Sequence, residues 1–186
     1  MAKVSVLMSS YNHQSFISEA IHSVLKQSFQ DWEFLIIDDC STDESFLIAK
    51  KFENQDSRIK VFKSPYNRGM VQNTNELILA SKGEYIAIIN SDDYWEEKKL
   101  EKQVDFLDNN REYGACFTSV NMINEGGKII LNKKKPQESF IIIQKYGLNV
   151  IGLKKLKKIK ILMSSNLTCC ILLGLYICNM LYLTNR

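Results

Sequence analysis

Two pairs of adjacent carboxylates, Asp38-Asp39 and Asp92-Asp93, are the groups in this sequence best suited to chemistry. Like charges side by side raise a pKa or recruit a cation. Hard divalent ions prefer carboxylate oxygens, and magnesium-like ions are commonly shared between one or two carboxylates and substrate phosphates. Asp92-Asp93 therefore reads as a metal–diphosphate site. The plain alternative is a cap for the helix expected from Glu96. Asp38-Asp39 reads either as a cap for the helix that follows it or as a carboxylate accepting hydrogen bonds from a base or ribose. The NH of a pyrimidine ring is such a donor. No G-x-G-x-x-G and no G-x-x-x-x-G-K-[ST] occurs, which argues against dinucleotide binding and P-loop chemistry. His13 and His22 form no metal cluster, and His22 reads as a solvated helix residue.

The elements that must position these carboxylates follow from hydrophobic spacing. Val4 to Met8 is a short apolar run that suits a strand buried on both faces. Gln14 to Phe29 carries apolar residues at helical spacing. Trp32 to Ile37 is a second strand, closed by Asp38-Asp39. Ser41-Thr42-Asp43-Glu44 fits a capping box for a helix to about Asn54. Arg58 to Lys63 alternates as a third strand, and Gly69 to Ser81 reads as helix, stopped by Lys82-Gly83. Glu84 to Ile89 is a fourth strand running into Asn90-Ser91-Asp92-Asp93. Glu96 to Asn109 is a charged helix, Tyr113 to Val120 a fifth strand, and Glu125 to Lys128 a hairpin turn leading to a sixth. Strands alternating with such helices predict βαβ units: an α/β, Rossmann-like, mainly parallel sheet with helices on both faces. Such sheets bind ligands in the crevice at the carboxyl ends of their strands. Ser9, Ser10 and Tyr11, the Asp38-Asp39 pair and the Asp92-Asp93 pair all fall at strand ends.

Composition divides the 186 residues in two. All 21 acidic residues lie in 1–138, which sum to −4, while 139–186 hold seven basic residues and no acid. The net charge of +3 is too small to argue for nucleic acid. The five cysteines are irregularly spaced without a CxxC, so they read as free thiols of a reducing compartment. The N-terminus is too short and polar for a signal peptide, and a cytoplasmic location is expected. The period degrades after Lys135, which sets the expected domains at 1–135 and a basic, apolar tail at 136–186. Residues 161–183 are 23 uncharged residues, 18 of them apolar or Gly, a candidate membrane segment. The lysines before it would keep the N-terminal part in the cytoplasm. An amphipathic or buried helix is the alternative, and the Ile/Lys/Leu/Asn bias also resembles AT-rich coding read in a shifted frame.

Four motifs in order, VSVLMSSYN at 4–12, IIDDCSTD at 36–43, NRGMVQNTN at 67–75 and KGEYIAIINSDD at 82–93, resemble family 2 glycosyltransferases of the A-type fold. The resemblance covers roughly residues 2–131. It implies sugar transfer from a nucleotide-diphospho-sugar, usually a UDP-sugar, to a saccharide or lipid-linked acceptor, with inversion, in cell-surface glycan synthesis. By position, Ser9 and Tyr11 would line the base and ribose pocket, and Asp39 would hydrogen-bond the uracil ring. Arg68 and Asn75 would lie in the segment approaching the donor, and Asp92 would face the ribose and diphosphate. Asp93 would coordinate Mn²⁺ or Mg²⁺. The sequence departs from the pattern at Asn90, which replaces the first Asp of D-x-D, and at Asn73-Thr74-Asn75. No acid follows Glu138, and Glu112, Glu125 and Glu138 match the family's catalytic base poorly, so the base is unassigned. The alternative implied is a non-catalytic nucleotide-sugar-binding remnant. A phospho-acceptor receiver domain fits less well, because the third strand ends in Lys63-Ser64 without an Asp.

Overall fold

The computed structural model describes residues 1–118, 121–124, 128–132 and 160–164. Its elements alternate in the order expected: β1 Val4–Ser10, α1 Ile17–Leu25, β2 Trp32–Asp38, α2 Ser45–Gln55, β3 Ile59–Lys63, α3 Met70–Ala80, β4 Tyr85–Ile88, α4 Lys99–Asn109 and β5 Ala115–Thr118. Three further strands follow, β6 Asn121–Ile123, β7 Ile129–Asn132 and β8 Lys160–Ser164. Six strands form one sheet in the order β3-β2-β1-β4-β8-β5, with every pair parallel.

The period-two alternation of the strands sorts the core into two layers. Val4, Val6 and Met8 of β1, Phe34 and Ile36 of β2, and Tyr85 and Ala87 of β4 bury one face against α1, α2 and α4. Leu7, Leu35, Ile37 and Ile86 bury the other face against Leu77 of α3. The chain thus winds outward from β1 to β3 over one face. It returns over the other through α3 to place β4 beside β1. That reversal makes the ends of β1 and β4 the topological switch point, where such sheets open their ligand crevice.

Three local expectations are corrected. The helix at 41–54 begins at Ser45 without a capping box, because the Ser41 hydroxyl accepts from the Asn12 amide at 3.0 Å instead. Gly83 does not stop α3, which ends at Ala80 with Ser81 extended. Its role is a close approach: a Cβ there would lie 2.5 Å from the Ser5 backbone nitrogen of β1. The turn after Ile123 does connect a hairpin, but β6 and β7 pair antiparallel with each other, outside the main sheet.

The tail also contributes. Lys160–Ser164 lie between β4 and β5, in register Tyr85↔Lys160 and Ala115↔Ile161. The first residues of the candidate membrane segment, 161–164, are therefore sheet; the rest of 161–183 lies outside the described residues. Among the described residues no helix is long and apolar enough to cross a membrane.

Candidate functional site

The ends of β2, β1 and β4 stand side by side, because β1 pairs with both of the others. Asp38 and Asp39 close β2, Ser9 and Ser10 close β1, and the turn Asn90–Asp93 follows β4. Side chains and carbonyls tie these ends together. The Ser91 hydroxyl donates to the Ser9 carbonyl at 3.4 Å, and the Asn73 amide donates to the Ser9 hydroxyl at 3.4 Å. Tyr11, just beyond β1, is 44% exposed at the rim. Asn12 and Cys40 both take left-handed backbone, φ +53° and +62°, directly after the strand ends. Asn12 is held there by its Oδ1, which accepts from the Thr42 amide at 2.9 Å.

Asp39 is buried, and both carboxylate oxygens are engaged by backbone. Oδ1 accepts from the Arg68 amide and Oδ2 from the Gly69 amide, each at 2.8 Å. Gly69 needs to be glycine at this point because its φ is +83°. Burial pushes the Asp39 pKa up, but the bonds from the Arg68 amide, the Asn73 side chain and the Gly69 amide, with the Arg68 charge, outweigh it. They hold the carboxyl below its ordinary value. Asp39 is thus the clamp that sets the start of α3 against the end of β2.

Arg68 turns its guanidinium along α3. Its Nε donates to Asn73 Oδ1 at 3.2 Å, and its Nη2 meets Glu76 at 2.6 Å. Asn73 is fully buried and also accepts from the Ser64 hydroxyl at 2.9 Å. Asn75 is half-buried, and its Oδ1 has no hydrogen-bond partner among the described residues. The Ser10 hydroxyl and Asp38 Oδ1, also buried at these strand ends, lack partners among the described residues as well.

The second pair is open. Asp92 is exposed and Asp93 half-buried. Asp93 accepts one side-chain bond, from Asn90 Nδ2 at 2.8 Å, within a turn closed by its own amide on the Asn90 carbonyl at 3.2 Å. Burial raises the Asp93 pKa and the neighbouring Asp92 charge adds to that, while the Asn90 bond offsets part of it. A carboxylate raised in this way lacks the positive partner that would make its charge welcome. Neither residue caps α4, whose N-cap is Lys98 without a side-chain cap bond. Among the described residues no group of three or more His, Cys, Asp or Glu could hold a metal. A cation here would take two carboxylates from the protein and its other oxygens from water and phosphate, which is the ligand set of a magnesium-like ion. The donors present fit that role.

The structure therefore brings Ser9, Asp39, Arg68, Asp92 and Asp93 to one edge, with Tyr11 at its rim and Asn75 on the adjoining helix. It also brings in Asn73, Ser64, His13 and Ser91. The signal in the sequence for Ser64, His13 and Ser91 is polarity shortly after a strand; Asn73 stands out only within Asn73-Thr74-Asn75, inside α3. Glu112 precedes β5, on the opposite edge of the parallel sheet from Asp93. Glu125 and Glu138 lie outside the described residues.

The family model described as glycosyl transferase family 2 matches residues 5–169. A Bacillus subtilis glycosyltransferase named for teichuronic acid biosynthesis is 39% identical over 124 residues, which are 67% of this chain and 49% of that one. An Escherichia coli protein named UDP-Glc:alpha-D-GlcNAc-diphosphoundecaprenol beta-1,3-glucosyltransferase is 40% identical over 104 residues, 56% of this chain and 40% of that one. The crystal structure of S. aureus TarS 1–349 in complex with UDP-GlcNAc superposes with a TM-score of 0.59 at 29% identity. It covers 66% of this chain and 36% of that chain. The chain spans about half the length of the curated relatives it matches.

Proposed function

Because the chain belongs to glycosyltransferase family 2, we propose that residues 1–135 bind a UDP-sugar and present it for inverting transfer to a saccharide or lipid-linked acceptor in cell-surface glycan synthesis at the cytoplasmic face. The observation that carries this reading is the gathering of one engaged and one open carboxylate pair at the β1/β4 switch point. A relative's structure holds UDP-GlcNAc, and another relative's name specifies a UDP-glucose donor. Both support the choice of nucleotide.

Within this reading Ser9 and Tyr11 flank the base and ribose. The outer lone pairs of Asp39 accept from the pyrimidine NH, while its inner ones stay on the Arg68 and Gly69 amides. Arg68 and Asn75 stand on the segment facing the donor, and Asp92 faces the ribose and diphosphate. Asp93, with Asp92, would hold Mn²⁺ or Mg²⁺, which when bound neutralises charge on the departing diphosphate.

Calorimetric titration with UDP in the presence and absence of Mn²⁺ tests the binding. The expected outcome is heat that grows with Mn²⁺ and loses that gain in Asp93→Ala. No heat from wild-type protein, or an unchanged gain in the variant, overturns the assignment. The alternative is a binding-only role. UDP release with UDP-sugars and acceptors separates the two: acceptor-dependent turnover sinks the binding-only role.

A further inference from the structure

We infer that His13 is a positioning residue for the Asp92–Asp93 turn, acting through Ser91; this rests on the donor and metal reading above. His13 Nδ1 lies 2.7 Å from the Ser91 hydroxyl, across 78 residues of sequence. With the Ser91 proton on the Ser9 carbonyl, Nδ1–H donates to Oγ; in the other tautomer the hydroxyl gives up that long contact and donates to a bare Nδ1. Ser91 is buried and sits between Asn90 and Asp92, inside the turn that carries both carboxylates. Among the described residues, His13 supplies the one side-chain hydrogen bond that reaches this turn from another element.

His13 is well built to be a fixed post. Its amide donates to the Ser45 hydroxyl at the start of α2, at 2.9 Å. Its carbonyl accepts from the Phe16 and Ile17 amides that open α1, at 3.0 and 2.9 Å. The residue before it is locked in left-handed backbone by Thr42. The imidazole therefore transmits the position of two helix starts to a turn whose own hydrogen bonds are otherwise internal or to strand β1. Asp93 would otherwise swing with its turn, because its single side-chain bond comes from Asn90 in the same turn. Groups that orient a metal's carboxylates from outside commonly govern affinity by ten- to a hundredfold.

The test is UDP titration of the full chain with and without Mn²⁺, across a double-mutant cycle. His13→Ala is expected to weaken UDP binding in Mn²⁺ by roughly tenfold. Metal-free UDP binding should change by less than about twofold, since the post acts on the carboxylate turn and not on the base pocket. His13→Asn should restore most of the affinity, because its amide nitrogen stands as many bonds from Cα as Nδ1 does. In a Ser91→Ala background, His13→Ala should cost nothing further. Equal losses with and without metal, additive losses in the cycle, or no loss in His13→Ala each overturn the inference. If wild-type protein gains nothing from Mn²⁺, the metal reading itself fails and the His13 role goes with it. If wild-type protein gains and His13→Ala keeps the gain, the His13 role alone fails.

Discussion

The molecule contains the same dipeptide twice at one edge of its sheet, closing β2 and in the turn after β4, and Asp39 of the first pair and Asp93 of the second are in opposite electrostatic states. Asp38 and Asp39 are both buried, at 1% and 2% exposure, and Asp39 is matched oxygen by oxygen to two backbone amides. Asp38 Oδ2 takes a third amide, that of Ser41 at 2.9 Å. The protein itself holds the Asp39 charge. Asp92 and Asp93 have one side-chain donor between them, and burial with mutual repulsion raises Asp93. Nothing within the described residues compensates their charge. The difference teaches which pair is tied into the scaffold and which has charge to spare; on the function proposed above, the second is the pair a cation would meet.

The largest effect that would break this comparison is at Asp39. Asp39→Asn leaves one backbone amide facing an NH₂ group instead of a carboxylate oxygen, in a buried site. Loss of a charge-assisted bond plus an unpaired buried donor should cost about 3 kcal/mol. Urea unfolding measures it, and UDP binding should fall with it as the start of α3 loosens. A variant as stable as wild type would mean that the first pair is no more committed to the scaffold than the second.

Next is Asp93. Asp93→Ala should leave the urea midpoint unchanged or slightly higher, yet remove the Mn²⁺-dependent part of UDP affinity, about tenfold or 1.4 kcal/mol. A destabilised Asp93→Ala protein would erase the contrast, because it would show a charge the fold relies on.

How much of this contrast was legible in the sequence depends on the distance over which each feature is decided. The strands were readable because Val4, Val6 and Met8 alternate with Leu7 within one short run, and that alternation is the layer assignment. The polar edge at the strand ends was readable because polar residues follow each such run. The state of each carboxylate was not. Asp39 is decided by amides 29 and 30 residues away, and Ser91 by an imidazole 78 residues away. The capping box at Ser41 failed for the same reason: its hydroxyl is claimed by Asn12, from a different loop. Strand β8 was invisible because its residues lie in a run without a clean period, and only pairing between β4 and β5 defines it.

A third buried charge sharpens the comparison with the opposite sign. Lys99, on the first turn of α4, is buried with no carboxylate partner; its Nζ lies 2.7 Å from Gln103 Oε1 and 4.1 Å from the Trp95 ring centroid. Burial pushes the ammonium down to about 7, with Cys116 opposing slightly. The unfolded chain keeps that proton up to about 10.5, so between about pH 7 and 10.5 the unfolded state holds more protons and stability rises with pH. Lys99→Met keeps the length and removes the charge. It should be more stable than wild type at pH 6.5, the advantage falling by up to about 1.4 kcal/mol per pH unit above about pH 7 and levelling off by about pH 10.5. A gain that is constant with pH would show that packing, not charge, sets the difference.

The smallest effect is the acid titration of the open pair itself, and its sign is what matters. Asp39, held below its ordinary 3.8, contributes stability that is full above 3.8 and lost as pH falls through its folded value. Asp93, raised above 3.8, does the reverse. Its penalty is full at neutral pH and is relieved as pH falls through the raised value toward 3.8. The same change, Asp to Asn, should therefore have opposite consequences in the two pairs. Asp93→Asn should gain about 0.5 kcal/mol at pH 7, a gain that disappears below about pH 3.8, where the wild-type carboxyl has taken up its proton. Adding UDP and Mn²⁺ at pH 7 should reverse the order, because a ligand bound more tightly by wild-type protein stabilises it more by mass action. Urea midpoints of wild type and Asp93→Asn at pH 7 and 3.5, with and without UDP and Mn²⁺, read all three signs. Destabilisation by Asp93→Asn in the absence of ligand would mean that the second pair is compensated from within the chain, and the two pairs would then be alike.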